Sequence, residues 1–196
     1  MSFVVRRSLS SIPLRFRPMP PDDPRIAELR ELGASIGHAV YFGPEVYVEK
    51  DFASLLTIED GVVLSQGTTV LLHDSSLNNV AGHAIRFSAV TLRSGCYLGA
   101  NVTILCGVEV GAGALIGACS LVTSDIPAGM VAAGQPARVT ASVSEIVERH
   151  RQRAIEDPGW IDVPAKPWRD RSDDDNVALY DAITRSIHGQ VQGPSI

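Results

Sequence analysis

Residues 92–127 read LRSGCY LGANVT ILCGVE VGAGAL IGACSL VTSDIP when cut every six positions. The first position is Leu92, Leu98, Ile104, Val110, Ile116 and Val122, aliphatic every time. The second is glycine at Gly99, Gly111 and Gly117. The fifth is small or β-branched: Cys96, Val102, Val108, Ala114, Ser120 and Ile126. A strand repeats every two residues and a helix every 3.6, so neither places one aliphatic residue at every sixth position. A three-sided solenoid does, with each hexad forming one face and its first residue pointing inward. Glycine at the second position suits close backbone approach or positive φ. Three hexads close a coil of 18 residues, and stacked coils pair as parallel strands around a thin aliphatic core. The pattern predicts an all-β solenoid, a parallel β-helix of hexapeptide repeats.

The same template extends upstream. Ile36, Phe42 and Val48 open three hexads, and Ile58, Leu64 and Val70 open three more. The hexads group into four coils, 36–53, 58–75, 92–109 and 110–127. Two interruptions stand out. Ser54–Thr57 add four residues after the first coil. A longer insertion follows Ser76, and 76–91 is read as a loop ejected from a corner, directly after VLLHDSS. Such loops often carry the binding face of a solenoid.

The flanks are of another kind. Asp22–Leu32 reads as a short helix ending at Gly33 and capping the first coil. Ser142–Ile155 reads as a second helix, with Ser142 or Ser144 as N-cap and Val143, Ile146, Val147 and Ile155 as an apolar face. Asn176–Ile187 is a candidate third helix, and Trp160 and Trp168 are candidate anchors on a neighbouring subunit. The division expected is an N-terminal arm and capping helix over 1–34, the β-helix over 35–140, and a C-terminal helical extension over 141–196.

Composition narrows the function. The chain has 196 residues, 45% hydrophobic and 20% charged, with 17 basic and 22 acidic side chains and a net charge of −5. That acidity argues against a non-specific nucleic-acid binder, and no apolar run approaches the roughly 18 residues of a membrane span. Serines at 8–11 break any signal-peptide core after Arg6 and Arg7. Cys96, Cys106 and Cys119, an odd count with no CxxC pair, are read as free thiols packed in the repeat. A cytoplasmic protein is expected.

The hexad array, VLLHDSS with its following loop, and VTSDIPAGMVAAGQPARV over residues 122–139 resemble the hexapeptide-repeat acyltransferases, in particular the maltose and galactoside O-acetyltransferase branch. The resemblance covers about residues 35–140. It implies a left-handed parallel β-helix, a homotrimer with active sites between adjacent subunits, and acetyl-CoA or another acyl-CoA as co-substrate. It implies His73 as general base. Gly117, Ala118, Thr123, Gly134, Pro136 and Arg138 match positions that contact the cofactor; Ser124 stands where relatives often carry lysine. Tyr97 takes the place of a residue lining the acyl channel. From the loop, Asn78 and Asn79 could bind acceptor hydroxyls and His83 could reach the acceptor.

The chemistry suits imidazole. A hydroxyl attacking a thioester must lose its proton, and imidazole titrates near neutrality. Direct attack is expected, because no serine or cysteine is coupled to His73 by motif. Asp74 would point to the opposite face and not orient the ring. The acceptor expected is a sugar or saccharide hydroxyl. An amino-sugar nucleotide amine and a non-catalytic trimeric scaffold are the alternatives. The HGVTLGG-like segment of serine acetyltransferases is missing. No metal is expected, since His38 is the third residue of its coil and His73 the sixteenth of the next, on different edges.

Overall fold

The computed structural model describes residues 23–156 together with Ser172, Asp174, Asp175 and Ala178. Helix α1 (Pro24–Glu31) precedes a first coil of β1 (Ser35–Ile36), β2 (Tyr41–Phe42) and β3 (Tyr47–Val48). A 3₁₀ segment, Lys50–Leu55, leads to the second coil, β4 (Leu56–Ile58), β5 (Val63–Leu64) and β6 (Thr69–Val70). The chain then leaves the wall through β7 (His73–Asp74), α2 (Ser76–Ala81) and β8 (Arg86–Phe87). The third coil is β9 (Val90–Leu92), β10 (Tyr97–Leu98) and β11 (Thr103–Ile104). The fourth is β12 (Glu109–Val110), β13 (Leu115–Ile116) and β14 (Leu121–Val122). A hairpin of β15 (Met130–Gly134) and β16 (Ala137–Ser142) and helix α3 (Val143–Glu156) follow. The excursion therefore ends before Val90, so Val90 and Thr91, read as loop from the sequence, already belong to the wall.

Corresponding strands of successive coils pair in parallel and form three faces: β1-β4-β9-β12, β2-β5-β10-β13-β15 with β16 outermost, and β3-β6-β11-β14. The register stacks like on like. Leu98 lies between Leu64 and Ile116, and Ile104 between Val70 and Val122. From Ile58 to Val122 every first-position aliphatic is at most 1% exposed. The fifth-position residues Cys96, Val102, Ala114 and Ser120 are buried beside them.

Close approach explains the second-position glycines. A Cβ on Gly99 would stand 2.6 Å from the backbone nitrogen of Ala118 in the next coil. Positive φ falls instead at the fourth position, at Gly95, Gly107 and Gly113, with Asn101 and Cys119 in the same conformation. That turn corrects the sequence reading of Cys119. A residue there points outward, and Cys119 is exposed whereas Cys96 and Cys106 are buried. Burial pushes the Cys96 thiol up to about 12, where little reactive thiolate forms. A thiol-specific dye at pH 8 is accordingly expected to label Cys119 rapidly in the native protein and the other two only on unfolding; mass spectrometry of the labelled peptides checks this.

The open end of the first coil is covered. Asp23 caps α1, accepting from the Arg25 backbone N–H, and Ile26 and Leu29 are buried against the coil. Arg25 donates to the carbonyls of Phe42 and Gly43, and Arg30 to those of Ile36 and Gly37. Acceptors that a further coil would use are thus filled by guanidinium groups. At the other end, Ser142 is the N-cap of α3. Its hydroxyl accepts from the Glu145 N–H and the Glu145 carboxylate accepts from the Ser142 N–H, a capping box. Of the expected apolar face, Val143 and Ile146 are half-buried and Val147 is exposed. Trp160, Trp168 and the proposed third helix, apart from Ala178, lie outside the described residues.

One charged ladder crosses three coils. Arg93 donates to Glu59 at 2.8 Å and to Glu109 at 2.9 Å. The Arg93 bond, helped by donors from Ser94, holds the Glu59 carboxyl down to about 2. A depressed carboxylate adds stability above its unfolded value of 4.5, and loses that stability as pH falls through its folded value. The melting temperature is expected to fall between pH 4.5 and 2, less steeply in Glu59→Gln; thermal melts across that range check it. The effect is small because the pair is solvated.

Candidate active site

The edge where the third face turns into the first is the irregular one. In the first coil the extra residues are taken up by the 3₁₀ segment Lys50–Leu55, anchored by Ala53 at 1% exposure, and not by Ser54–Thr57 as read from the sequence, since Leu56 and Thr57 already pair in β4. In the second coil, one layer on, the chain departs at His73. Both interruptions of the hexad period therefore meet on one edge.

Glu49 joins them. It follows Val48, which pairs with Val70, so its side chain lies under the chain leaving the second coil. One carboxylate oxygen accepts from the backbone N–H of Leu72 at 2.6 Å and of His73 at 3.0 Å. Nδ1 of His73 lies 3.0 Å from both carboxylate oxygens. A carboxylate already accepting two N–H bonds acts as acceptor here too, which puts the imidazole proton on Nδ1 and leaves a lone pair on Nε2. Glu49 is 12% exposed and His73 30% at the side chain, so the ring is held but reachable.

The ring also has aromatic neighbours. Phe52, from the 3₁₀ segment, lies 5.0 Å away at 58°. Phe87, from β8, stacks at 5.9 Å and 23°, and is opposite His73 in the β7–β8 register. The two phenyl rings meet edge to face at 4.9 Å. A cleft of about 360 Å³ opens beside the imidazole, lined by residues 46–52 and His73.

Not every sequence candidate gathers here. Asn78 and Asn79 are exposed on α2, and each side-chain amide donates inside the loop. Asn78 donates to the carbonyl of His83 at 2.6 Å, and Asn79 to that of Ser75 at 3.0 Å. His83 is likewise exposed, its carbonyl bound by Asn78. Asp74 accepts from Ser76, a bond that keeps its carboxyl below the usual range, and leaves the imidazole to Glu49. Tyr97 is 43% exposed on the second face, across the coil from the edge that carries His73. Thr123 and Ser124 do share that edge, two coils further on. Gly117 and Ala118 turn the preceding edge of the fourth coil. The β15–β16 turn, with Gly134 and Pro136, docks there through Gly134 N–H to the Ser120 hydroxyl and Gln135 to the Cys119 carbonyl. Arg138 is exposed on β16. Arg93 is committed to its carboxylates, and Arg86 stands opposite Asp74. Among the described residues no group of three or more His, Cys, Asp or Glu is placed to hold a metal ion. None of their helices is long and apolar enough to cross a membrane.

Sequence reasoning missed Glu49 because it sits in a different hexad from His73. The signal was available in the coil register, since the residue after Val48 must stack beneath the residues after Val70.

Comparison with known proteins bears on the family of the chain. The model of the family described as "Bacterial transferase hexapeptide (six repeats)" matches residues 89–124. The galactoside O-acetyltransferase of Escherichia coli strain K12 is 30% identical over 137 residues, covering 60% of this chain and 68% of that one. A serine acetyltransferase of Buchnera aphidicola is 32% identical over 114 residues, covering 58% of this chain and 40% of that one. A hexapeptide-repeat acetyltransferase of Vibrio cholerae, crystallised with acetyl coenzyme A, is 23% identical at a TM-score of 0.49, covering 61% of this chain and 76% of that one. The chain belongs to the hexapeptide-repeat acyltransferases, whose fold is the left-handed parallel β-helix. It is an acyltransferase.

Proposed function

We propose that the protein transfers an acyl group, in the first instance acetyl, from acyl-CoA to a hydroxyl of a sugar or saccharide, with His73 as general base. The observation that carries this reading is the Glu49–His73 pair. Glu49 fixes the imidazole with its proton on Nδ1, so Nε2 takes the proton of the acceptor hydroxyl as that oxygen attacks the thioester carbonyl. The tetrahedral intermediate collapses, the C–S bond breaks, and the imidazolium returns the proton to the departing thiolate. No acyl-enzyme forms. The cleft beside His73 is of a size for a small acceptor, and the similarity to a galactoside O-acetyltransferase favours a sugar.

The active unit in this reading is a homotrimer in the cytoplasm. Tyr97 and the edge of Gly117, Ala118, Gly134, Pro136 and Arg138 lie on sides of the coil away from His73. Within one chain they do not meet the thioester that His73 serves; a neighbouring copy can supply them. Thr123 and Ser124, on the His73 edge, contact the same acyl-CoA from the chain that carries His73. The arm over 1–34 and the extension over 141–196 are read as flanks of a catalytic β-helix over 35–140.

The test is a mass-spectrometric screen of acetyl-CoA and longer acyl-CoAs against galactosides, amino sugars and L-serine. Acylation of a sugar hydroxyl is expected, with Glu49→Gln losing roughly 10-fold or more in kcat through the misoriented ring. Transfer only to an amine or to serine would replace the sugar assignment, and absence of acyl-CoA binding by calorimetry would leave a scaffold.

A further inference from the structure

Two insertions break an otherwise regular array, and each delivers one phenyl ring to the same imidazole. The 3₁₀ segment Lys50–Leu55, which takes up the extra residues of the first coil, carries Phe52. The excursion after the second coil returns as β8, whose Phe87 pairs opposite His73. Neither ring is needed for the fold's core: Phe52 is half-buried at its margin and Phe87 is 50% exposed. The same excursion also exposes Leu77, Val80 and Ile85, but Phe87 is the one whose ring stacks on the imidazole. Glu49 holds the ring by one nitrogen only, which leaves rotation about that hydrogen bond free. Contacts at 5.0 and 5.9 Å on the ring remove it.

We infer that Phe52 and Phe87 are positioning residues, an aromatic clamp that fixes the plane of the His73 imidazole so that Nε2 faces the cleft. The inference rests on the reading of His73 as base. Edge-to-face contact between the two phenyl rings, at 4.9 Å and 69°, couples the insertions to each other, so the clamp needs both. Glu28 at the end of Lys50 ties the 3₁₀ segment to α1 at 2.6 Å and steadies the Phe52 side.

The experiment compares Phe87→Leu and Phe52→Leu with Phe87→Tyr and Phe52→Tyr in the full chain. Leucine keeps an apolar group and removes the aromatic face; tyrosine keeps the face. The first readout is the NMR signal of the His73 ring protons in the unliganded protein, which needs no turnover. Displacement of these protons toward ordinary imidazole shifts is expected in the leucine variants only. The second is steady-state kinetics with the acceptor found above. Here kcat is expected to fall roughly 10- to 100-fold with leucine, with KM for acyl-CoA unchanged, and to be largely retained with tyrosine. Leucine variants with wild-type ring shifts and wild-type kcat overturn the clamp. A His73→Ala variant with full activity instead overturns the base assignment, whatever the phenylalanines do. Should Phe52→Leu fail to fold, the half-exposed Phe87 decides alone.

Discussion

Replacing His73 with alanine is expected to lower kcat by about 10²–10⁴-fold, the usual contribution of a positioned general base, and to leave the melting temperature nearly unchanged. The two halves of that expectation have separate causes. Activity falls because no other described group near the cleft combines a free lone pair with a partner that stabilises the proton it would take up. Stability survives because the His73 side chain is 30% exposed and lies outside the aliphatic ladder. Its removal does not orphan Glu49, which keeps the backbone N–H groups of residue 73 and Leu72. Release of CoA thiol followed with a disulfide dye, beside a circular-dichroism melt, checks both. Wild-type turnover in the variant would remove His73 from the mechanism, whereas a collapsed melt would show that the edge depends on the ring.

Leu98→Ala is expected to cost about 2–5 kcal/mol of unfolding free energy, the range for an aliphatic truncation in a rigid core. Leu98 is 0% exposed and stacked between Leu64 and Ile116. The hydrogen-bonded ladder sets the spacing of the coils, so neighbours above and below cannot close the void. Thr103→Ala, on an outward position of the same coil, is expected to stay within about 0.5 kcal/mol. Urea denaturation of both variants measures the contrast. Equal losses at the two positions would mean that the inward ladder is not what holds the stack.

What was legible in the sequence followed from its period. An aliphatic residue every sixth position can be buried on one side of a short strand in one way only, so Leu92 through Val122 announced the three-sided coil, and the burial of that ladder follows. The helix ends were legible for the same kind of reason. Asp23 before Pro24, and Ser142 three residues before Glu145, satisfy terminal N–H groups by local geometry. Contacts made within a turn or a hexad need no knowledge of the rest of the chain.

Cys119 and the loop asparagines show where that stops. Cys119 sits in the repeat like Cys96, but in the fourth position, where the turn throws the side chain outward. Asn78 and Asn79 have the right chemistry for binding hydroxyls, yet the short helix α2 brings the backbone carbonyls of Ser75 and His83 within their reach first.

By itself, the sequence determined the solenoid, its aliphatic interior, the helix that caps its first coil and His73 at a break in the period, because all of these depend on residues close together in the chain. The tertiary structure decided the partners of His73. Glu49, Phe52 and Phe87 come from two different coils and two different insertions, and only the stacking register, which turns distance along the chain into adjacency along an edge, brings a carboxylate and two phenyl rings onto one imidazole.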